Sequence, residues 1–505
     1  MLDGKDVLAV MPTGSGKSAI YQIAGLLLGG TAVVVSPLIA LQRDQVEGLE
    51  ETGTIAAELN STLSGSRREE TLADAEEGEL DYLFLAPEQF ANEETTARLR
   101  ELEVSIFVVD EAHCISEWGH DFRPDYLRLG AVVEELGHPP VLALTATAAP
   151  PVRTEILERL GMPDAELIVR GFDRPNIWLG VEELHDEEAK RELLVERTAE
   201  AAKPGIVYVA TRREAEEIAA ALETRGVRAA AYHAGLAAGR RDETQDAFMA
   251  DELDVVVATI AFGMGIDKAN VRFVFHAEPS ESIDAYYQEI GRAGRDGERA
   301  DAVLFYRAQD LGRQRFFGGA ARLELEQVEA VAEVVAEAHD PVTPEELKDE
   351  TDLSDSKLTR AVSRLEEVGA VEVLPTGEIV EGDHQQGAAA HAVEAQERFR
   401  EYERSRAEMV RAYAELRDCR REFLLNYFGE PRDEPCGFCD NCERGLVVED
   451  VEHPFELGSR VRHGEWGVGL VERYEGDKMV VLFDGHGYKT LDVALVEERD
   501  LLDPA

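Results

Sequence analysis

A glycine-rich stretch near the start of the chain has the residue types that bind a triphosphate. It runs from Met11 to Ser18 (MPTGSGKS), between a short apolar run at Asp6–Val10 and an apolar helical pattern at Ala19–Leu28. Glycines let backbone N–H groups approach phosphate oxygens, a lysine offsets their charge and a hydroxyl binds Mg²⁺. The generic motif has glycine where Met11 stands, and a plain glycine-rich turn is the alternative. We assign triphosphate binding to Thr13, Gly14, Ser15, Gly16, Lys17 and Ser18, with Ser18 on Mg²⁺.

Two adjacent carboxylates could complete a hydrolytic site. Asp110 and Glu111 follow the apolar run Ile106–Val109, which is typical of a buried parallel strand. Ligands of open α/β sheets bind at the carboxyl ends of such strands. We predict that Asp110 is the second Mg²⁺ contact and that Glu111 orients and polarises the attacking water.

The residues after this pair could bind an unpaired nucleic-acid strand. Trp118, Phe122 and Arg123 supply two rings and a guanidinium group, which stack on bases. The alternative is a core strand followed by an ordinary loop. We expect the segment Ile106–Tyr126 to connect a nucleoside triphosphate to a nucleic-acid strand.

A second set of charged residues lies in Tyr286–Gly297 (YYQEIGRAGRDG). Arg292 and Arg295 are three positions apart, so on a helix both would point to one face. We predict that they act as arginine fingers, which stabilise charge during phosphoryl transfer, and that Gln288 couples DNA to ATP. The alternative is a solvated arginine face.

Four cysteines near the carboxyl end have metal-ligand spacing. Sixteen residues separate Cys419 from Cys436, and two residues separate each neighbouring pair among Cys436, Cys439 and Cys442. Four thiolates suit tetrahedral Zn²⁺, and the same spacing could hold an iron–sulfur cluster. Cys114 stands apart and is predicted to be a small apolar residue.

Two series of alternating strands and helices would position these residues. Strands followed by helical patterns predict an α/β fold with two parallel-sheet lobes. The predicted strands are Asp6–Val10, Thr31–Ser36, Tyr82–Ala86, Ile106–Asp110, Val141–Leu144, Gly205–Ala210, Ala229–His233 and Val255–Thr259.

The motifs in this order resemble those of a known family. PTGSGKS, SPLIALQRDQ, DEAHCISEWGHDFRPDY, LTATA and FDRPN resemble the first-lobe motifs of RecQ-type DNA helicases of superfamily 2. The aromatic continuation after DEAH is the most specific of them. The resemblance covers roughly residues 1–318 and 385–445 and implies an ATP-dependent 3′–5′ DNA helicase that acts on single-stranded and duplex DNA in repair and recombination.

The resemblance also implies roles for particular residues. It implies that the aromatic stretch senses single-stranded DNA and that YHAGL contacts the DNA backbone. It also implies that ATIAFGMGIDK faces the nucleotide across a cleft. It favours zinc over an iron–sulfur cluster. The residues concerned are Trp118, His120, Phe122 and Arg123 in the sensor, His233 in the backbone contact, and Gly265 and Asp267 beside the nucleotide.

The chain departs from the family pattern in three places. The ten residues before Met11 lack the family's adenine-reading glutamine, so we predict either a natural start upstream of Met1 or a truncated form with weakened ATP selectivity. A winged-helix-like pattern precedes the cysteines, whereas in the family it follows them. We expect no second winged helix and no HRDC domain.

The predicted organisation has five parts. A helix near Leu323–Ala338, a short helix at Pro344–Lys348, a longer helix after Ser354 and a wing strand at Val371–Leu374 resemble a winged helix, which could bind duplex DNA or only mediate contacts. The tail resembles the SH3- or Tudor-like barrel of UvrD-type helicases and could bind a protein partner. The parts are residues 1–170 (ATP-binding lobe), 171–318 (second lobe), 322–382 (helix and winged-helix-like module), 385–445 (zinc-binding module) and 455–503 (small β-barrel).

The composition is strongly acidic. Lys and Arg total 52, only nine of them lysines, against 103 Asp and Glu, for a formal net charge of −51. Lysine depletion with many acidic residues resembles the proteins of salt-accumulating halophiles. At molar salt the screening length is about 3 Å, so only local contacts to DNA matter. We see neither a secretory signal nor an apolar run that could span a membrane, so we expect a cytoplasmic, nucleoid-associated protein.

Two other functions are compatible with these patterns. One is a nucleic-acid-dependent ATPase that remodels protein–DNA or RNA complexes without strand separation. The other is a non-enzymatic zinc and winged-helix DNA-binding regulator with an inactive ATPase core. Lys17, Asp110, Glu111, Arg292 and Arg295 together argue against the second of these.

Overall fold

The structure is a computed structural model that forms two compact units. Unit 1 comprises residues 1–11, 16–169 and 318–401, and unit 2 comprises residues 12–15, 170–317 and 402–505. The residues described are 1–116, 122–263, 268–310, 325–338, 341–374, 377–382, 392, 405–430, 432, 434–446, 454–455, 459–475, 478–484 and 486–505.

The first lobe, in unit 1, is a seven-stranded parallel sheet flanked by helices. The strand order is β3-β4-β2-β5-β6-β1-β7. Its strands are β1 Val7–Val10, β2 Thr31–Val35, β3 Ala56–Leu59, β4 Tyr82–Leu85, β5 Val104–Val109, β6 Val141–Thr145 and β7 Glu166–Val169. Its helices are α1 Lys17–Leu28, α2 Ile39–Glu51, α3 Gly65–Glu76, α4 Glu93–Leu99, α5 Leu129–Glu135 and α6 Pro150–Arg159, with 3₁₀ turns at Pro87–Ala91, Ala112–Ile115 and Pro124–Tyr126.

The central strands of this sheet are apolar because helices cover both faces. Val33, Val34 and Val108 are fully buried, as expected for parallel strands with no solvent-facing side. The five strands predicted in this lobe are confirmed. The sequence prediction missed β3 and β7, the two edge strands: β3 (AAEL) lacks an apolar run, and β7 (ELIV) is largely exposed.

The second lobe, in unit 2, is a six-stranded parallel sheet. The strand order is β10-β11-β9-β12-β13-β8. Its strands are β8 Ile177–Glu183, β9 Gly205–Tyr208, β10 Ala229–Tyr232, β11 Val255–Ala258, β12 Phe273–His276 and β13 Ala300–Tyr306. Its helices are α7 Glu187–Glu200, α8 Arg212–Thr224, α9 Ala238–Met249 and α10 Ile283–Ile290. The three strands predicted here are confirmed, and β8, β12 and β13 were missed.

The winged-helix-like module belongs to unit 1. It has the three helices and the wing strand predicted for it, around a core that includes Leu347, Leu358 and Leu365, and a second strand that was not predicted completes an antiparallel hairpin. Its elements are α11 Leu325–Glu337, α12 Pro344–Thr351, α13 Asp355–Glu367, β14 Val371–Val373 and β15 Ile379–Glu381.

Unit 2 ends with a helical segment that carries the cysteines and an antiparallel sheet. The helices are α14 (residues 405–415), α15 Arg420–Tyr427 and α16 Asp440–Glu443. The sheet has five antiparallel strands in the order β19-β18-β17-β16-β20, and its closure into the predicted barrel stays a prediction. Its elements are β16 Arg460–His463, β17 Gly467–Glu475, β18 Lys478–Phe483, β19 Gly487–Asp492, α17 Val493–Arg499 and β20 Leu502–Pro504. Within the described ranges, every helix is too short or too polar to cross a bilayer.

Candidate active site

Strand order in the first lobe brings three of the sequence motifs to one edge of the sheet. β6 pairs with β1 on one side and with β5 on the other, all in parallel. At their carboxyl ends, β1 leads into the glycine-rich loop, β6 ends at Thr145 and β5 leads into Asp110. The Met11 backbone N–H donates to the Thr145 carbonyl oxygen at 3.0 Å, so the loop is fixed to the neighbouring strand.

The glycine-rich loop has the backbone conformation that its glycines permit. Gly14 and Gly16 have φ of 80° and 83°, in the left-handed region where a side chain would be strained. Gly16 is the N-cap of α1, so backbone N–H groups of this helix are available to an anion. Lys17 Nζ donates to the Met11 carbonyl oxygen at 3.2 Å, which holds the ammonium group over the loop.

Asp110 is a partly buried carboxylate close to Lys17. Burial, followed by the negative charge of Glu111, raises the pKa of Asp110 to about 7, while the positive charge of Lys17 opposes that shift. Two hydrogen bonds fix the Asp110 backbone. Its N–H donates to the Val35 carbonyl oxygen, and its own carbonyl oxygen accepts from the Tyr126 hydroxyl at 3.0 Å. A partly buried carboxylate near a lysine and a phosphate-binding loop fits a Mg²⁺–triphosphate site, because the cation would favour the ionised form.

Glu111 is held in an unfavourable conformation. It has φ of 47° although it is not glycine, which costs of order 1–3 kcal/mol and occurs most often at functional sites. Its Oε2 is buried and, among the residues that the structure describes, accepts no hydrogen bond; His113 Nδ1 lies 3.4 Å from it. A strained carboxylate with an unsatisfied oxygen is suited to binding a water molecule.

His113 links the DEAH residues to the LTATA motif, a contact that the sequence prediction missed. Its Nδ1 lies 2.7 Å from Thr145 Oγ1, and both side chains are fully buried. Thr145 Oγ1 in turn donates to the carbonyl oxygen of Thr147 at 3.0 Å. The residues are 32 positions apart in the chain, so only the pairing of β5 with β6 could have indicated the contact.

The aromatic stretch is described only at its ends. Trp118 and His120 lie outside the described residues, so their predicted roles are not tested. Phe122 is half-buried. Arg123 donates from its backbone N–H to Cys114 and from Nη1 to the Pro37 carbonyl oxygen, both at 2.8 Å. Cys114 itself is fully buried, as predicted for a small apolar residue.

In unit 2, the two predicted finger arginines do not lie on a helix. α10 ends at Ile290, and Gly291 begins a series of tight turns in which Gly294 has φ of 55°. The expectation that Arg292 and Arg295 share one helical face was therefore wrong in its geometry.

The two arginines nevertheless lie near one group. Burial raises the pKa of Tyr208 to about 12, and the positive charges of Arg292 and Arg295 oppose that shift. Both guanidinium groups are therefore close to the Tyr208 hydroxyl, which donates to the Phe262 carbonyl oxygen at 2.8 Å. Gln288 is on the last turn of α10, one turn before these arginines.

Two residues of the FDRPN motif hold the turn that carries the arginines. Arg174 donates to the carbonyl oxygens of Gly291 (3.1 Å), Ala293 (2.8 Å) and Gly294 (3.2 Å). Asn176 Nδ2 donates to the Gly294 carbonyl oxygen at 2.7 Å. Sequence reasoning used FDRPN only as a family motif and missed this positioning role.

Of the remaining predicted residues of the second lobe, the structure describes His233. His233 is almost fully buried, with Nε2 3.3 Å from Glu216 Oε1, so its contact to a DNA backbone stays a prediction. Gly265 and Asp267 lie outside the described residues.

The four predicted metal ligands converge. The Sγ atoms of Cys419, Cys436, Cys439 and Cys442 all lie within 4.8 Å of one another. Backbone N–H groups point at the sulfurs, including those of Cys436 toward Cys419 (3.2 Å) and Phe438 toward Cys436 (3.3 Å). Such hydrogen bonds stabilise thiolates, so the donor set fits a structural Zn²⁺ ion.

Buried hydrogen bonds anchor the cysteine segment on the second lobe, and a buried ion pair lies within the segment itself. Arg420 and Asp440 pair with both side chains 3% exposed, and Asp440 Oδ2 also accepts from the Val181 backbone N–H at 3.1 Å. The Tyr427 hydroxyl donates to Asp284 on α10. The segment therefore contacts the helix that leads into the arginine turn.

Comparison with known families agrees with this fold. Residues 1–155 match the DEAD/DEAH box helicase family, residues 188–297 the helicase conserved C-terminal domain, and residues 379–443 the RecQ zinc-binding family. A solved structure of the DUF1998 helicase MrfA bound to DNA shares the fold at TM-score 0.52 and 16% identity, covering 77% of this chain and 56% of that one. Two parallel-sheet lobes with a phosphate-binding loop and a DEAH sequence define the core of a superfamily 2 helicase.

Relatives narrow that class to one family. The Bacillus subtilis "Probable ATP-dependent DNA helicase RecS" is 36% identical over 88% of this chain and 87% of its own length. The "ATP-dependent DNA helicase RecQ" of the same organism is 37% identical over 90% of this chain, and that of Haemophilus influenzae is 37% identical over 87%. The chain belongs to the RecQ family. It spans 64% and 59% of the length of these two RecQ relatives. The matches confirm the predicted cofactors, ATP with Mg²⁺ and Zn²⁺.

Proposed function

We propose that the chain is an ATP-dependent DNA helicase that moves 3′ to 5′ along single-stranded DNA and separates duplex DNA in repair and recombination. The observation that carries this proposal is the grouping of Lys17, Asp110 and Glu111 at one sheet edge of a chain that belongs to the RecQ family. A regulator with an inactive core would have no need of a strained glutamate in that position.

The roles of the first-lobe residues follow from their chemistry. Backbone N–H groups from Thr13 to Ser18 bind the phosphates, and Lys17 offsets their charge. The Ser18 hydroxyl and Asp110 would hold Mg²⁺, which neutralises charge on the phosphate oxygens. Glu111 orients the attacking water and accepts its proton.

The second lobe supplies positive charge and coupling. Arg292 and Arg295 stabilise charge that develops on the transferred phosphoryl group. Gln288, on the helix that leads into their turn, responds to bound DNA, and Gly265 and Asp267 contact the nucleotide. The buried Asp284–Tyr427 contact supports a further role for the cysteine segment in holding α10.

DNA binding is assigned to local groups rather than to the net charge. Trp118, His120, Phe122 and Arg123 stack on or contact unpaired bases, and His233 contacts the backbone. Cys419, Cys436, Cys439 and Cys442 would hold Zn²⁺, which fixes the fold of their segment. The C-terminal sheet is assigned to a protein partner, and the protein to the cytoplasm near the nucleoid.

Hydrolysis of ATP with different nucleic acids tests this proposal. The purified chain in molar KCl is expected to hydrolyse ATP slowly alone and at least about tenfold faster with single-stranded DNA, with little response to RNA. Lys17→Ala is expected to abolish both rates, whereas Lys5→Ala, an exposed lysine outside the loop, leaves them unchanged. Stronger stimulation by RNA than by DNA would favour the RNA-remodelling alternative.

A further inference from the structure

The winged-helix-like module buries the helix that would read DNA. In helix-turn-helix modules the second helix of the motif enters the major groove with its solvent-facing side chains. That helix here is α13, and among its described side chains, residues 357–366, none is exposed. Ser363 and Arg364 are 1% and 4% exposed. Protein therefore covers this face in part, and completely at Ser363 and Arg364.

One contact joins α13 to the first lobe, within unit 1. Glu366 Oε2 lies 2.7 Å from Arg159 Nη1, with side chains 16% and 18% exposed. Arg159 Nε lies 3.5 Å from Glu155 Oε1 one turn earlier on α6. Glu155 Oε2 accepts a hydrogen bond from Ser116 Oγ at 2.5 Å. Ser116 is fully buried and immediately precedes residues 117–121 of the aromatic stretch.

A second contact reaches the other end of the same stretch. The wing residue Gly377 has φ of +88°, and a Cβ there would lie 2.7 Å from Arg128 Nη2. The backbone conformation thus favours glycine, and the Arg128 guanidinium group packs against it. Arg128 also lies 3.4 Å from Asp125, in the 3₁₀ turn that follows the stretch. The module therefore contacts the first lobe through residues on both sides of positions 117–121.

We propose that the winged-helix-like module does not read DNA with α13 but fixes the described ends of the aromatic stretch, Ser116 and the turn Pro124–Tyr126, with Arg159 and Glu366 as the positioning residues. This inference rests on the proposed function, because it assigns the stretch its DNA-sensing role. The pair retains its attraction in concentrated salt better than an exposed pair would, because it is largely shielded from solvent ions. The module, which precedes the cysteines in the chain, lies in unit 1 together with the first lobe.

Charge reversal at the pair tests the proposal in the full chain. Arg159→Glu and Glu366→Arg are each expected to raise the concentration of single-stranded DNA that gives half-maximal ATPase stimulation about tenfold, with the basal rate unchanged. The double variant, which restores opposite charges, is expected to return to within about twofold of the wild type, since contacting residues are energetically coupled. Glu158→Arg, an exposed position on the same helix, is the matched control and is expected to have no effect.

Hydrogen exchange supplies a readout that does not depend on hydrolysis. Peptides spanning 110–128 are expected to exchange faster in each single variant and to regain protection in the double variant. If the wild type shows no DNA-stimulated hydrolysis, the proposed function fails, and exchange still tests the contact.

Two outcomes would overturn the inference. One is a double variant as impaired as the single variants, or single variants that match the wild type in both stimulation and exchange. The other is Glu366→Gln altering affinity for blunt duplex DNA without altering ATPase stimulation, which would mean that the module reads duplex DNA through α13.

Discussion

Arg174 donates a hydrogen bond to the carbonyl oxygen of Ala293 at 2.8 Å, and through this and two neighbouring carbonyls it fixes the turn between Arg292 and Arg295. The side chain is largely buried, and burial lowers its pKa. The arginines that we assign to catalysis therefore depend on a third arginine more than a hundred positions earlier in the chain.

Removing the Arg174 side chain is expected to impair hydrolysis more than ATP binding. Arg174→Ala leaves backbone carbonyls without their donor and lets the turn shift, so we expect the kcat of DNA-stimulated hydrolysis to fall at least about tenfold while KM for ATP changes less than about threefold. Steady-state ATPase assays check this. Arg170→Ala, at an exposed position four residues earlier, is the control, and an equal loss in both variants would contradict the assignment.

Loss of the contact between His113 and Thr145 is expected to slow ATP hydrolysis without weakening nucleotide binding. Thr145→Val keeps the size of the side chain but removes the hydroxyl that contacts His113 Nδ1. We expect kcat to fall by about tenfold, because the DEAH segment with its strained Glu111 loses a buried anchor. The Kd for a fluorescent ATP analogue is expected to stay within about twofold of the wild type. Thr154→Val, at an exposed threonine of α6, should behave as wild type. Loss of nucleotide affinity in Thr145→Val would mean that the contact only supports the loop.

The cysteine cluster predicts one zinc ion per chain. Cys436→Ser is expected to remove the metal and to lower Tm by about 5 °C or more, because metal binding contributes to folding of the segment that holds Arg420 and Asp440. Elemental analysis and thermal melting measure both effects. Cys114→Ser, which changes a cysteine outside the cluster, should retain the zinc. Iron with absorbance near 400 nm in place of zinc would refute the assignment.

The aromatic stretch predicts a loss of DNA response alone. Trp118→Ala is expected to leave basal hydrolysis nearly unchanged and to remove its stimulation by single-stranded DNA, since an aromatic ring contributes about 1–3 kcal/mol per stacked base. Titration of ATPase rate with single-stranded DNA checks this. Equal loss of basal and stimulated rates would mean that the stretch is only structural.

The sequence predicted the motifs and the parallel sheets because both depend on local patterns. The run before Asp110 and the glycines around Lys17 are contiguous, so strand, turn and helix could be recognised without the rest of the chain. The metal site of the four cysteines could be predicted in the same way, because metal-ligand spacing is itself a sequence pattern.

The contacts that hold the site could not be predicted in this way. Arg174 with Ala293, His113 with Thr145, and Arg159 with Glu366 join residues from 32 to 207 positions apart. Such pairs depend on which strands are neighbours and on where modules pack. The helix predicted through Arg292 failed for a related reason: hydrogen bonds from Arg174 and Asn176 stabilise turns where propensity alone would continue α10.

Strand displacement tests the central claim most directly. The chain is incubated in molar KCl with ATP and Mg²⁺ on duplexes that carry a single-stranded tail at either the 3′ or the 5′ end, with Lys17→Ala alongside. We predict ATP-dependent separation of the 3′-tailed duplex, at least about tenfold faster than of the 5′-tailed one and absent in Lys17→Ala. DNA-stimulated hydrolysis without separation of either duplex would contradict the account.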